Sequence, residues 1–219
     1  MKRKDILFLG KKGDQRCEAA LAFLRSNLDV ESYLGEWGDP LPQEVKSWSG
    51  SYVVSYLSRW VVPQTVIDHA SKGAINFHPA SPDYPGIGCN NFALYENAKE
   101  YGVTCHFMAA TVDTGAIIAT KRFAIYPSDD VESLLERTYA YQQVLFYEIA
   151  SRILAGERLV PSGETWTRKP FTRREFNELS RITADMDAAE VARRIRATAY
   201  GRWKPTIEVG GRRFELADE

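Results

Sequence analysis

An asparagine and a histidine stand two positions apart where an apolar run gives way to a proline-rich stretch, INFHPASPDYPG (residues 75–86). Side chains alternate along a strand, so Asn76 and His78 would point the same way. Asp113 follows a later apolar run. An amide can donate to a developing oxyanion, an imidazole can carry a proton near neutral pH, and a carboxylate can orient that imidazole. Together these three residue types are suited to acyl transfer.

Each of the three residues also has a structural interpretation. A histidine before a proline is more often a turn residue than a catalyst, and Asn76 or Asp113 alone could serve a strand end or a turn. Pro79 biases His78 toward an extended backbone and ends the strand pairing, so the imidazole would project beyond the strand. Ligands bind at that edge of open parallel sheets, so a catalytic site and ordinary structural roles both remain open for these three residues.

Short apolar runs alternate with segments of helical periodicity over the first 125 residues. This alternation predicts an α/β fold, with a mostly parallel sheet that is covered by helices on both faces. The last predicted helix before the site would end at Gly102, and the last two strands would flank a turn at Asp113-Thr114-Gly115. The predicted strands are 5–10, 30–35, 51–58, 73–77, 104–112 and 116–125, and the predicted helices are 15–27, 63–71 and 90–102.

After the last of these strands the pattern changes. One long amphipathic helix is predicted over 129–157, and its apolar stripe would either pack in the core or join two copies of the chain in a homodimer. A short helix over 188–197 and a β-hairpin turning on Gly210-Gly211 follow. We therefore expect a catalytic domain over 1–157 and a small C-terminal extension, made of a helix and a hairpin, over 158–219.

Composition excludes several classes of protein. The 219 residues include 44% hydrophobic and 26% charged residues, with a formal net charge of -1, so no strong field draws the chain to nucleic acid or to an anionic membrane. The N-terminal apolar run is too short for a signal peptide, and none approaches the ~18 apolar residues of a membrane span. Cys17, Cys89 and Cys105 lack close spacing, which argues against a disulfide framework or a metal site and favours a cytoplasmic location.

Three segments, INFHPASPDYPG, YGVTCHFM and VDTGAII, resemble the core of the 10-formyltetrahydrofolate-dependent formyltransferases, most closely the sugar N-formyltransferases. That family carries Asn-x-His-Pro, Gly-x-Thr-x-His and Asp-x-Gly-x-Ile motifs, and the match runs from about residue 51 to 125. The resemblance implies a Rossmann-like sheet, N10-formyltetrahydrofolate as co-substrate, no metal, and catalytic roles for Asn76, His78 and Asp113. His106, in the second motif, is interpreted as structural.

The resemblance also implies direct transfer of the formyl group. An amine attacks the formyl carbon on N10 of the folate, Asn76 and His78 stabilise the oxyanion, and His78, held by Asp113, moves the proton. The folate would lie along segments 58–63 and 110–115. The candidate cofactor-binding residues there are Ser58, Trp60, Val61, Thr111 and Gly115, of which Val61 could equally be a core residue.

Candidate residues for binding the acceptor lie in three other parts of the chain. Lys11 belongs to GKKG, between a strand and a helix, where backbone amides and a lysine could bind phosphate. Cations beside Trp166 could grip a diphosphate while the indole stacks on a base. Solvated surface charge is the alternative interpretation of both segments. The full set of acceptor candidates is Lys11, Tyr84, Gly86, Asn90, Trp166, Arg168 and Lys169.

The family formylates several amines, and the flanking regions narrow the choice. LGKKGDQ stands where glycinamide ribotide enzymes carry a Gly-Ser-Asn phosphate loop, and about 90 residues follow Ser128, too few for the barrel of the transfer-RNA enzymes. The resemblance therefore implies a nucleotide-linked amino sugar, such as a dTDP- or GDP-linked 4-amino-4,6-dideoxyhexose for surface polysaccharides, and no nucleic acid. Another small amine (an amino acid or a purine precursor), methionyl-tRNA, and a non-enzymatic folate- or nucleotide-binding module are the alternatives.

Overall fold

The computed structural model describes residues 4–201 and 203–217. The strands of its central sheet, in chain order, are β1 (Lys4–Lys11), β2 (Val30–Gly35), β3 (Gly50–Tyr56), β4 (Ala70–His78), β5 (Glu100–Phe107) and β6 (Ile117–Ala124). Their spatial order is β2-β1-β3-β4-β5-β6. The first four strands pair in parallel, whereas β5 and β6 run antiparallel to their neighbours. The predicted α/β fold with a mostly parallel sheet is confirmed.

Helices cover both faces of this sheet, as the sequence predicts. In chain order, the α-helices are α1 (Gln15–Arg25), α2 (Gln64–Asp68), α3 (Cys89–Tyr95), α4 (Val131–Leu154), α5 (Arg173–Leu179) and α6 (Ala188–Thr198). α1 and α4 pack on one face, and α2 packs on the other beside a short 3₁₀ helix (Gln43–Ser47). The unbroken apolar run of residues 6–9 is fully buried because both faces of β1 are covered.

Short polar residues set the helix ends. The Asp14 carboxylate accepts from two backbone amides in the first turn of α1, and Asp130 and Ser133 form a capping box at the start of α4. The long helix predicted from the apolar stripe is confirmed by α4. Its stripe lies within the chain's own core, which supports the core interpretation, and the homodimer stays a prediction. The buried stripe residues include Val131, Leu134, Thr138, Leu145 and Ile149.

The predicted helix over 90–102 is wrong beyond its first two turns. α3 ends at Tyr95, and Asn97 then adopts a left-handed backbone with a φ of 53° before β5 begins. Gly102 lies within β5, where it pairs with β6. A Cβ at this position would collide with the carbonyl oxygen of Lys121 on β6. The helical propensity of residues 100–102 is overridden because this part of β5 pairs with β6.

The segment after α4 returns to the carboxyl edge of the parallel strands. Residues 158–172 are largely irregular, and their backbone binds the loop that follows β4. The Thr167 amide donates to the carbonyl of Pro82, and the Phe171 amide donates to the carbonyl of Pro85. The loop that begins with the Asn-x-His-Pro motif is therefore held from outside by the C-terminal part of the chain.

A small second sheet completes the C-terminal part. Its strands are β7 (Arg181–Ile182), β8 (Thr206–Val209) and β9 (Arg212–Glu215), in that spatial order. The predicted hairpin is confirmed, and Gly210 and Gly211 turn it with φ values of 58° and 73°. The domain division at residue 157 stays a prediction. Within the described residues, no helix combines the length and apolar character that crossing a membrane requires.

Candidate active site

The end of β4 positions Asn76 and His78. β4 pairs with β3 on one side and β5 on the other, so Asn76 stands opposite Ser55 and His106. His78 is the last residue of β4, directly before Pro79. Both side chains line the same cavity, as the alternation of side chains along a strand predicts.

Asp113 reaches the same place from the connection between β5 and β6. The strand predicted over 104–112 is wrong at its end, because β5 stops at Phe107 and Asp113 lies in a loop with a φ of 51°. Asp113 Oδ2 lies 3.3 Å from His78 Nδ1 and accepts a hydrogen bond from the Gly86 amide at 3.0 Å. The carboxylate and the imidazole therefore meet directly.

The Asp113 carboxyl is ionised although it is 4% exposed. Burial alone would raise its pKa, but His78, His106 and the Gly86 amide outweigh burial and hold the pKa at about 2. The group thus carries a negative charge over the physiological pH range. A buried anion in this position can orient an imidazolium and balance its charge.

Both ring nitrogens of His78 face hydrogen-bond acceptors. Nδ1 faces Asp113, and Nε2 lies 3.1 Å from the carbonyl oxygen of Tyr84, which can only accept. Nε2 therefore carries a hydrogen in this arrangement. The Asp113 carboxylate can accept a hydrogen bond from a second hydrogen on Nδ1. A ring in that form can donate to an oxyanion and later release its proton.

His106 joins Asn76 to Asp113. Its Nδ1 donates to the Phe107 carbonyl at 2.8 Å, and its Nε2 lies 3.2 Å from Asn76 Nδ2 and 3.4 Å from Asp113 Oδ1. In the neutral ring, Nε2 accepts from the amide and does not donate to the carboxylate, so His106 lowers the pKa of Asp113 only when its ring is protonated. Asp113 Oδ1 is then buried without a donor among the described residues, so it can accept a hydrogen bond from an incoming amine.

Trp166 packs against both histidines from the C-terminal segment. Its ring centroid lies 5.8 Å from that of His78 and 5.1 Å from that of His106, both edge to face. Its Nε1 donates to the Gly115 carbonyl at 2.8 Å and so fastens the loop that carries Asp113. Among the described residues, those that line the cavity do not include Trp166. Its stacking on a substrate base stays a prediction.

A cavity of about 330 Å³ opens over Asn76, His78 and Asp113. Tyr139 of α4 contributes to its wall, although the sequence did not assign it to a site. Gln142, one turn further along α4, donates to the backbone carbonyl of Phe77 at 2.7 Å and so ties the helix to β4. Of the predicted contact residues, the cavity is lined by Ser58, Trp60, Val61, Thr111, Lys11 and Gly86.

The remaining acceptor candidates lie outside the cavity. The Tyr84 hydroxyl donates to Glu96, and Arg168 makes two bonds to the same carboxylate at 2.7 and 3.1 Å. Asn90 is buried and Lys169 is exposed. Their contacts with a substrate stay predictions. Among residues 4–201 and 203–217, no three His, Cys, Asp or Glu side chains are arranged to hold a metal ion.

Comparison with known proteins places this site in a family. Residues 41–149, about half of the chain, match the family model described as formyl transferase. The methionyl-tRNA formyltransferase of Enterococcus faecalis is 26% identical over 176 residues, which is 80% of this chain and 56% of that protein. The chain thus spans about half the length of this curated relative.

Two solved structures share the fold along nearly the whole chain. A sugar N-formyltransferase from a Shewanella species has a TM-score of 0.77 at 17% identity, covering 97% of this chain and 96% of that one. An N-formyltransferase from Helicobacter canadensis, in complex with folinic acid and dTDP-3-aminofucose, has a TM-score of 0.72 at 18% identity, covering 95% of this chain and 85% of that one. At these identities the likeness concerns the fold.

Proposed function

Because this chain belongs to the formyl transferase family, we propose that it transfers a formyl group from N10-formyltetrahydrofolate to the primary amine of a nucleotide-linked amino sugar. The observation that carries the proposal is the direct contact of the ionised Asp113 carboxylate with His78, beside Asn76, at the wall of a cavity. An oxyanion donor, a proton carrier and its counter-charge are thereby assembled around one space.

The cavity walls fit the proposed formyl donor. Val61 is 71% exposed and Val112 is 50% exposed, and both line the cavity. Apolar side chains left open at a cavity wall suit the face of a flat ring system, and the backbone of segments 58–63 and 110–115 offers hydrogen bonds to its edges. N10-formyltetrahydrofolate, as a substrate, supplies the activated formyl carbon.

The side chains of the site would act on the reacting atoms as follows. As the amine nitrogen bonds to the formyl carbon, Asn76 Nδ2 and His78 Nε2 turn their hydrogens from His106 and the Tyr84 carbonyl to the developing oxyanion. Asp113 Oδ1 accepts a hydrogen bond from the attacking nitrogen. His78 delivers its Nε2 proton to N10, so that the bond between the formyl carbon and N10 breaks. The ring then takes a proton from the attacking nitrogen, and a formamide and tetrahydrofolate leave.

Similarity of fold supports a sugar as the acceptor. The TM-score is 0.77 for the Shewanella sugar N-formyltransferase and 0.68 for a methionyl-tRNA formyltransferase from Clostridium thermocellum. The Helicobacter enzyme was solved with a nucleotide sugar. These likenesses support a nucleotide-linked amino sugar, and the sequence relative makes methionyl-tRNA the second candidate.

A transfer assay tests the proposal. The protein is incubated with N10-formyltetrahydrofolate and a panel of nucleotide-linked amino sugars, with methionyl-tRNA in parallel, and tetrahydrofolate release and the mass of the formamide are measured. Asn76→Ala and His78→Ala should each lower turnover by roughly 10²–10³ without unfolding the protein, and His69→Ala, outside the cavity, should not. Wild-type rates in either site variant would refute the assignment. Formylation of methionyl-tRNA alone would show that the acceptor is methionyl-tRNA and not a sugar. Binding of the folate or the nucleotide sugar without turnover would favour a binding module.

A further inference from the structure

An exposed tryptophan stands beside the cavity. Trp37 is 75% exposed, the highest value among the large apolar side chains of the described residues. Exposure leaves the indole face in contact with water, which disfavours the position unless something covers it. Because single exposed apolar side chains are common on protein surfaces, the groups around the indole decide what it could bind.

A tight turn presents this indole. The Asp39 amide donates to the Glu36 carbonyl at 3.3 Å, and the Glu36 amide donates to the Asp39 carboxylate at 2.7 Å. Gly38 has a φ of 95°, which suits the third position of a type II turn and places Trp37 at the second. Trp60, which lines the cavity, donates its Nε1 to the Asp39 carbonyl at 2.9 Å. The turn is therefore fastened to the cavity wall.

Two arginines flank Trp37, and the three residues together are called the Trp37 patch. The guanidinium carbons of Arg59 and Arg173 each lie 6.0 Å from the centroid of the Trp37 ring. Neither arginine has a carboxylate partner in the part of the chain that the structure describes, whereas the next residue, Arg174, pairs with Glu178 at 3.0 Å. The patch thus combines an exposed aromatic ring with two arginines that form no ion pair among the described residues.

The Trp37 patch lies at a distance from His78 that one extended ligand can span. Trp37 follows β2, at the edge of the sheet, and His78 ends β4, with β1 and β3 between them. Neighbouring strands lie ~4.8 Å apart, so three strand steps separate the two by roughly 14 Å. Lys11 and Arg59, which end and follow the two intervening strands, both line the cavity between these points.

We propose that the Trp37 patch binds the nucleotide of the acceptor, with the base stacked on Trp37 and the diphosphate held by Arg59 and Arg173. This inference rests on the proposed function. With the sugar amine at His78, the sugar and the diphosphate span the distance to β2. Guanidinium groups suit phosphate oxygens, and an indole suits a base. Of the two segments proposed to hold the folate, 110–115 lies at the β5–β6 connection, on the side of β4 away from β2, whereas 58–63 also carries Arg59.

Titration calorimetry with free nucleoside diphosphates tests the patch without turnover. dTDP, UDP and GDP are titrated into wild type, Trp37→Ala and Arg173→Ala, with Arg174→Ala as the matched control on the same helix. We expect the best-bound nucleotide to lose about tenfold or more in affinity in the two patch variants and to keep its affinity in the control. With the nucleotide sugar that the transfer assay identifies, KM should rise by a similar factor while kcat and the KM for the folate stay unchanged.

Each contrary outcome has a separate meaning. If wild type binds a nucleoside diphosphate and the Trp37→Ala and Arg173→Ala variants bind it equally well, the patch inference is overturned and the proposed function stands. A rise in the KM for the folate alone, or loss of methionyl-tRNA binding alone, in these variants would also overturn it. If wild type binds none of the nucleotides and formylates no nucleotide sugar, the proposed acceptor itself fails.

Discussion

Replacing Asp113 by asparagine keeps the size of the side chain and removes its charge. In the wild type, this carboxylate lies 3.3 Å from His78 Nδ1 and 3.0 Å from the Gly86 amide in a nearly sealed position. A neutral amide cannot balance a charged imidazole. We therefore expect Asp113→Asn to lower turnover by roughly 10²–10⁴, with smaller changes in the KM of either substrate.

The same substitution changes how stability depends on pH. The pKa of Asp113 is about 2 in the folded protein against the ordinary 3.8, so the carboxyl binds protons more weakly when the protein is folded. Its contribution to stability is therefore fully present above pH 3.8 and is lost as the pH falls from there to about 2. A fall in pKa of this size corresponds to roughly 2 kcal/mol.

Urea unfolding of wild type and Asp113→Asn between pH 3 and pH 7 measures this contribution. The other carboxyl groups titrate in both proteins and largely cancel in the difference between their unfolding free energies. The unfolding free energy of wild type minus that of Asp113→Asn should be constant from pH 7 to about pH 5 and should decrease below about pH 4. A difference that does not change with pH, or wild-type turnover in the variant, would refute the account of Asp113 as a buried, charged partner of His78.

Substitutions at three further positions test the groups that support the site. Trp166→Phe keeps a ring against the two histidines but loses the hydrogen bond to the β5–β6 connection, so kcat should fall about fivefold, and Trp166→Ala should lower it further. Gly86→Ala puts a side chain at a φ of 91° and against the Phe171 backbone, so thermal unfolding should show a loss of about 1–3 kcal/mol. Gln142→Ala leaves a buried carbonyl at the end of β4 without its donor and should cost about 1–3 kcal/mol, whereas the control Gln143→Ala should change the unfolding free energy by less than about 0.5 kcal/mol.

Much of the fold could be predicted because the relevant signals are local. An apolar run such as residues 6–9 predicts a strand covered on both faces, Asp129 or Asp130 predicts the start of the long helix, and Gly210-Gly211 predicts the turn of a hairpin. The helix predicted over 90–102 is too long because residues beyond α3 also have helical propensity. Pairing of residues 100–102 with β6, which no local pattern reveals, makes them part of a strand.

By itself, the sequence determined that Asn76 and His78 share one face, since alternation along a strand is a property of the backbone, and its motifs identified the family. Only the tertiary structure decided what surrounds them. Asp113 meets His78 because Trp166, from a distant segment, holds the β5–β6 connection, and His106 becomes a link between Asn76 and Asp113 only through the β4–β5 register. Contacts between residues far apart in the chain depend on packing and register, which are settled when the sheet assembles.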